Sequence, residues 1–290
     1  MNWKADARFL LRQVEALGAG GVIVDSYTLG SSYQHALRAA GVPVCVIADV
    51  PGGSFNADLV IDQRVGARAS DHRAPKEARF LLGPRYSLLR PSFAAARRRG
   101  TRRRRRQRVL IVMGGSDPRG ATLRVLTALD SLPSPFSIDV VAGAAIPRLA
   151  QLVSAAKNAR HPTHLHRDPA DLPAVMARAS LAISAAGGTC WELACLGVPT
   201  LLLVTADNQE ANAAGLARSG FALALGSATP FPGERLLESV SSLLKSRQRL
   251  ERMSTVGRRL VDGRGARRAA KALWSLIKRR RQRPARLRSR

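Results

Sequence analysis

Cysteine, aromatic side chains and acidic residues are all scarce in this 290-residue chain. The three cysteines, Cys45, Cys190 and Cys195, have no metal-like or redox spacing, which excludes a disulfide framework and a cysteine-based zinc site. They read as small buried hydrophobes of a reduced, cytoplasmic protein. Aromatic residues make up 4% of the chain, so a core must be built mainly from Ala, Leu and Val. No run approaches the roughly 18 apolar residues of a membrane span. The first residues carry Asp6 and Glu15 and no signal-type apolar segment, so the expected location is cytoplasmic.

Acids number 20 against 47 Lys and Arg, for a formal charge of +27. Such an excess raises nucleic acid or anionic lipid as partners, but its distribution argues against nucleic acid. The segment from Arg97 to Arg108 holds nine arginines and no acid. The segment from Lys245 to Arg290 holds 18 basic residues against Glu251 and Asp262. The rest of the chain is close to neutral. Neither basic stretch has interleaved aromatics for base stacking, and both read as solvated linker and tail.

What is present is an alternation of short apolar runs and helical segments. Residues 21–25, Val44–Ala48, Leu59–Asp62 and Phe80–Leu82 read as buried strands, with helices over 9–17 and 32–40. A second series begins at Val109 and runs through strands at 136–142, 181–185, 200–204 and 221–225, with helices between them. This predicts an α/β protein of two Rossmann-like parallel-sheet domains with ligands outside the carboxyl ends of the strands, in a cleft between the domains. The expected boundaries are an N-terminal domain over 1–96, an Arg-rich linker over 97–108, a ligand-binding domain over 109–246, and C-terminal helices with a basic tail over 247–290.

Three loops fall at strand carboxyl ends. Gly114, Gly115 and Ser116, followed by Asp117, let backbone approach a ligand and offer N–H groups to a phosphate; alone they also fit a bare turn. Gly187, Gly188 and Thr189 open a helix whose free N–H groups and positive dipole end suit a diphosphate. Glu192 lies one turn further on, placed to accept two ribose hydroxyls or simply to stabilise the dipole. Asn208 and Gln209, with Asn212, offer amide donors and acceptors suited to sugar hydroxyls and acetamido groups; helix capping by Asp207 or Asn208 is the plainer reading. Among the histidines, His161, His164 and His166 have only Asp168 near them in sequence and no cysteine, so no metal site is expected; His35 falls on a helix face and His72 in a polar loop.

In this order the three loops resemble the C-terminal half of the GT-B glycosyltransferases, especially the UDP-N-acetylglucosamine transferases that make lipid II. With Asp25-Ser-Tyr27, the segment from Leu82 to Phe93, Met113-Gly-Gly-Ser-Asp-Pro118, Gly143-Ala-Ala-Ile-Pro147, Asp207-Asn-Gln209 and Val261-Asp-Gly-Arg-Gly-Ala266, the chain resembles the nucleotide-sugar hydrolases of the pseudaminic acid pathway from about Gly21 to Trp274. The resemblance implies a GT-B fold and cleavage of a UDP-linked diacetamido-trideoxy sugar to free sugar and UDP, without a cofactor. It implies that Gly187, Gly188, Thr189 and Glu192 hold UDP, that Asn208 and Gln209 lie against diphosphate and sugar, and that Arg90 contacts a phosphate or the sugar.

Departures from that family matter too. Its Asp-His-Tyr stands here as Asp25-Ser26-Tyr27, and its first strand and Gly-x-Gly-His-x-x-Arg loop, which carries the water-activating His, have no counterpart. The N-terminal domain therefore reads as truncated and the catalytic residue is unassigned. A start upstream of Met1 is favoured over a shortened, inactive relative, because a parallel sheet without its first strands exposes apolar edges. A GT-B transferase using the same donor loops and a non-catalytic basic binding protein are the two competing functions. The oligomeric state is not legible.

Overall fold

The computed structural model describes residues 2–100, 107–133 and 135–282. The chain divides into two compact units. One comprises Met1–Leu88 together with Arg264–Arg290, the other Leu89–Gly263.

The first unit holds a four-stranded, all-parallel sheet in the order β1 (Val22–Val24), β2 (Val44–Ala48), β3 (Leu59–Asp62), β4 (Arg79–Leu82). Strand alternation sorts its side chains onto two faces. Val44, Val46, Ala48 and Val60 meet Ala7 of α1 (Trp3–Ala16) and Tyr33 and Leu37 of α2 (Ser31–Ala39). Cys45, Leu59, Ile61 and Leu81 face the other way, against Ala269 and Ala272 of the last described helix, which spans Gly265–Gln282. The chain's C-terminal segment thus supplies one wall of its N-terminal unit. Gly265 makes that return possible, since a Cβ there would overlap the Ser87 carbonyl oxygen and lie 2.5 Å from the Tyr86 carbonyl carbon. β1 is an edge strand, and its Ile23 is 57% exposed.

The second unit opens with α3 (Pro91–Arg99) and builds a six-stranded parallel sheet from β5 (Arg108–Val112), β6 (Ser137–Ala142), β7 (Thr163–Arg167), β8 (Leu181–Ala185), β9 (Thr200–Val204) and β10 (Ala222–Ser227). The spatial order is β10-β9-β8-β5-β6-β7. Helices α4 (Ala121–Leu129), α5 (Leu149–Asn158), α6 (Leu172–Met176), α7 (Thr189–Leu196), α8 (Glu210–Arg218), α9 (Gly233–Lys245) and α10 (Arg247–Leu260) connect and cover the strands. Val109 and Ile111 of β5 enter a core with Val125 and Leu129 of α4 and Val240 and Leu243 of α9. Leu110 and Val112 point oppositely and are equally buried. Fully buried parallel strands of this kind read as near-continuous apolar runs, as these do.

Several expected boundaries shift. The first unit ends at Leu88, not at residue 96, because Pro91 starts helix α3 at its first position. The expected linker over 97–108 is partly structured. Arg97–Arg99 close α3, Arg97 donates to the carbonyls of Cys195 (3.0 Å) and Val261 (3.2 Å), and Arg108 begins β5. Residues 101–106 of the basic run lie outside the described residues. Residues 247–260, expected outside the ligand-binding domain in a segment of C-terminal helices and basic tail, form α10 in the second unit, where a Cβ on Gly257 would stand 2.6 Å from Phe221 and 3.1 Å from the Ala194 carbonyl. The tail beyond 282 is likewise outside the described residues.

Candidate nucleotide-sugar site

The strand order of the second unit's parallel sheet reverses between β5 and β8. From β5 the chain steps outward to β6 and β7 on one side; β8, β9 and β10 fill the other. That strand order puts a crevice between the loops that follow β5 and β8, the usual ligand position in doubly wound sheets. Val112 pairs with Ser184, so the two strands end level and their loops emerge side by side.

The loop after β5 begins with Gly114 at φ 90°, a conformation that disfavours side chains. Gly115 and Ser116 follow, both exposed. The loop is held from behind in two ways. Gly143, at the end of β6, packs so tightly that a Cβ there would overlap the Gly115 carbonyl and stand 2.6 Å from its Cα. The buried Asp117 accepts the N–H groups of Ala121 (2.9 Å) and Thr122 (2.8 Å), capping α4. The amides at the start of α4 are therefore satisfied internally.

The helix after β8 is different. Gly188 is the N-cap of α7 and no side chain caps it; Cys190 and Trp191 donate their amides to the Gly187 and Gly188 carbonyls (3.1 Å each), so the amides left for a ligand at the switch point, with the positive dipole end, are those of Gly187, Gly188 and Thr189. The preceding turn is anchored. Asn212 of α8 donates its Nδ2 to the Ala186 carbonyl at 2.8 Å, and Cys190 Sγ donates to the Ala185 carbonyl at 3.3 Å. Glu192 faces the same region with its side chain 19% exposed. Burial pushes its carboxyl up to about 7, opposed by the Arg90 guanidinium 3.8 Å away. Arg90 itself is 62% exposed and lies over the Phe93 ring.

The third loop leaves β9 and turns through Asp207–Gln209 into α8. Gln209 Oε1 accepts from the N–H (3.0 Å) and hydroxyl (3.1 Å) of Thr205, which fixes its amide orientation. Its Nε2 then stands 3.6 Å from where a Cβ on Gly187 would be. Gln209 thus lies against the α7 turn. Asn208 is exposed on the same 3₁₀ turn.

Gly187, Gly188, Thr189, Glu192 and Gln209 are thus brought together, with Arg90 beside Glu192. Gly114, Gly115 and Ser116 lie at the neighbouring strand end. Two expectations need correction. Asn212, grouped with sugar-binding amides, is a buried clamp on the Ala186 carbonyl. His72, expected in a polar loop, is buried, with Nε2 2.8 Å from Asp62 and its ring between Phe55 and Phe80. His166 pairs with Asp139 at 2.8 Å, and His161 stacks on Phe136. Asp117, Thr205 and Gly143 are the supporting residues whose role sequence reading missed; only the Gly-rich punctuation around Gly143 hinted at a close approach. Among the described residues no group of three or more His, Cys, Asp or Glu is arranged to hold a metal ion, and no helix is long and apolar enough to cross a membrane. All three cysteines are free and buried, as expected for packing residues.

The fold is of the GT-B type, with two Rossmann-like parallel sheets. Residues 156–270 match the glycosyltransferase family 28 C-terminal domain, which takes in α7, Glu192 and the Asn208–Gln209 turn. Among relatives, the chain is 31% identical over 223 residues to the spore coat polysaccharide biosynthesis protein SpsG of Bacillus subtilis (strain 168), covering 76% of this chain and 65% of that protein. It is 33% identical over 152 residues to the UDP-N-acetylglucosamine–N-acetylmuramyl-(pentapeptide) pyrophosphoryl-undecaprenol N-acetylglucosamine transferase of Exiguobacterium sp. (strain ATCC BAA-1283 / AT1b), covering 49% of this chain and 41% of that one. The chain therefore spans less than two thirds of the length of either. Among solved structures, Acinetobacter baumannii MurG superposes with a TM-score of 0.68 at 20% identity, covering 93% of this chain and 77% of that one.

Proposed function

We propose that the second unit binds a uridine diphosphate sugar and that the protein uses it as a glycosyl donor, transferring the sugar to an acceptor hydroxyl. The observation that carries this reading is the uncapped start of α7 at the topological switch point, with the half-buried Glu192 one turn behind it. Amides of Gly187, Gly188 and Thr189 receive the diphosphate, Glu192 accepts the ribose hydroxyls, and Asn208 and Gln209 lie against diphosphate and sugar. Arg90 adds a positive charge near the phosphates, and Gly114 to Ser116 line the crevice from the β5 side. In transfer, the acceptor hydroxyl oxygen attacks the anomeric carbon and gives up its proton to solvent, the bond from that carbon to the diphosphate oxygen breaks, and UDP leaves. Fixed amides and the helix dipole stabilise the charge that grows on the leaving group. The donor in the name of the Exiguobacterium relative, UDP-N-acetylglucosamine, favours the same donor class here.

Hydrolysis of a UDP-linked diacetamido-trideoxy sugar is the second reading, favoured by the segment from Leu82 to Phe93. Much of that segment is occupied in packing. Tyr86 and Leu88 join the core under the last helix, and Ser87 donates its hydroxyl to the Pro84 carbonyl. Arg90 of that segment stands by Glu192, and the transferase relatives favour transfer. The deciding experiment follows UDP release from UDP-N-acetylglucosamine and related UDP-sugars by the full chain, with and without acceptor saccharides, alongside calorimetry with UDP. Release that needs an acceptor supports transfer, and release in water alone supports hydrolysis. No affinity for UDP in a folded sample, or affinity unchanged in Glu192→Ala, overturns both.

A further inference from the structure

The helix that returns to the first unit, Gly265–Gln282, has two faces of different kinds. One is committed to the fold. Ala269, Ala272 and Ile277 are buried, and Leu273 and Leu276 pack against the core beneath the sheet. The other carries Arg267, Lys271, Trp274 and Lys278, all exposed. Steps of four, three and four residues set these side chains in one row along the helix. At about 1.5 Å per residue the row is about 16 Å long. Ala270, also exposed, precedes Trp274 by one turn, so the indole has no large neighbour on that side of its own helix.

Trp274 is 54% exposed, whereas Trp191 is buried at 5%. An indole left in water forgoes the free energy that burial would recover, and it joins a large apolar body to a single N–H donor. The group over its ring is a charge, the Lys278 ammonium 5.5 Å from the centroid. The surrounding field has one sign. No acidic residue occurs in this helix, and among the described residues no carboxylate pairs with Arg267, Lys271 or Lys278. Past Gln282 the sequence adds Arg283, Arg286, Arg288 and Arg290, again without an acid.

A basic row around an exposed indole matches an anionic bilayer on two counts. Ammonium and guanidinium groups meet lipid phosphates, and an apolar ring with one polar edge is favoured at the headgroup level. Nucleic acid fits less well, because stacking along a strand uses successive aromatics and this row has one. We infer that the outer face of this helix is a docking surface for an anionic phospholipid bilayer. Trp274 is the apolar anchor, and Arg267, Lys271 and Lys278 supply the attraction. The inner face stays on the sheet, so the surface is presented ready made and binding is reversible. No residue of the nucleotide-sugar site takes part, so a failure of UDP to bind would overturn the donor reading and leave this one intact.

The test is co-sedimentation of the full chain with vesicles of phosphatidylglycerol and phosphatidylcholine in equal parts, against vesicles of phosphatidylcholine alone, with tryptophan emission recorded in parallel. The expected result is partition onto the mixed vesicles only, weakening as salt rises, with a blue shift of the emission. Each Lys or Arg near an anionic surface contributes about fivefold to partition, so Lys271→Gln/Lys278→Gln lowers it by roughly 25-fold. Trp274→Ala lowers it several-fold and abolishes the blue shift. Both variants keep the parent's Tm without lipid, because the side chains removed are exposed. The inference fails if the two kinds of vesicle bind alike, if either variant binds as the parent does, or if the blue shift survives Trp274→Ala. A single-stranded oligonucleotide that binds in preference to the mixed vesicles, and is lost with the same substitutions, would overturn it in favour of nucleic acid.

Discussion

Glu192 should make donor binding depend on pH. Its carboxyl is pushed up to about 7 by burial, against an ordinary value of 4.5. A ribose diol donates two hydrogen bonds, so it binds the ionised carboxylate and disfavours the protonated one. At pH 5.5 only about 3% of Glu192 is ionised, so affinity for UDP-N-acetylglucosamine should be roughly 30-fold lower than at pH 8, or about 2 kcal/mol. A UDP-sugar is a good probe because its diester diphosphate and uracil do not titrate in this range. Calorimetry in buffers of different ionisation enthalpy should detect proton release on binding near pH 7, and Glu192→Gln should flatten both signals. The same shift has a stability consequence with a definite sign. Because the folded value is raised, its contribution is fully present below about 4.5 and is lost as pH rises through about 7. Urea unfolding should therefore find Glu192→Gln equal to the parent at pH 4 and more stable at pH 8, by ~3 kcal/mol at most. An affinity that stays level from pH 5.5 to 8, or a slope that survives in Glu192→Gln, would refute the placement of the ribose on this carboxylate.

Other consequences concern the scaffold. Gly257→Val should destabilise the chain by about 1–3 kcal/mol in urea, since a Cβ there already stands 2.6 Å from Phe221; an unchanged midpoint would mean α10 does not dock as described. Asp139→Ala strips the shared partner from Arg108 and His166, both 2.8 Å away, and should cost roughly 3 kcal/mol. Thiol reagents should leave all three cysteines unmodified in the native chain, because burial pushes Cys45 up to about 12 and Cys195 up to about 11. Ending the chain after Gly263 removes the helix over Cys45, so Cys45 should then react rapidly; continued protection would show that this helix does not cover it.

The second unit was legible because its strands are buried on both faces and punctuated by glycine. Val109 to Val112 and Leu201 to Leu203 are unbroken apolar runs, and Gly188 and Gly197 mark both ends of α7 where they were expected. The three site loops follow from that punctuation plus strand order. What escaped was carried by residues whose local sequence points elsewhere. Helix α10 has few apolar side chains and five arginines, so its run from Arg247 to Leu260 resembles a solvated tail. Its docking depends on Met253 and on the absence of a side chain at Gly257. Helix α3 was hidden in the same way by the arginines at its end. The return of the last helix to the first unit is a long-range event, specified by Gly265 against Ser87 and by Ala269 and Ala272 against the sheet. No local pattern announces it.

The arginines themselves show why formal charge misleads here. Arg64 makes a bidentate pair with the buried Asp62, Arg108 pairs with Asp139, and Arg38 and Arg280 converge on Asp58. Arg97, Arg124 and Arg258 donate to backbone carbonyls at helix and strand ends. A guanidinium offers five donors in a rigid fork and stays charged when half-buried, which suits it to tying together loops that a short apolar core leaves loose. Several arginines within the described residues are therefore internal mortar, with their field directed at carboxylates and carbonyls a few ångströms away. Arg90 stands apart because its neighbour is a carboxylate largely protonated below pH 7. Position and partner, not the sum of charges, are why Arg90 is the guanidinium assigned to the proposed donor site.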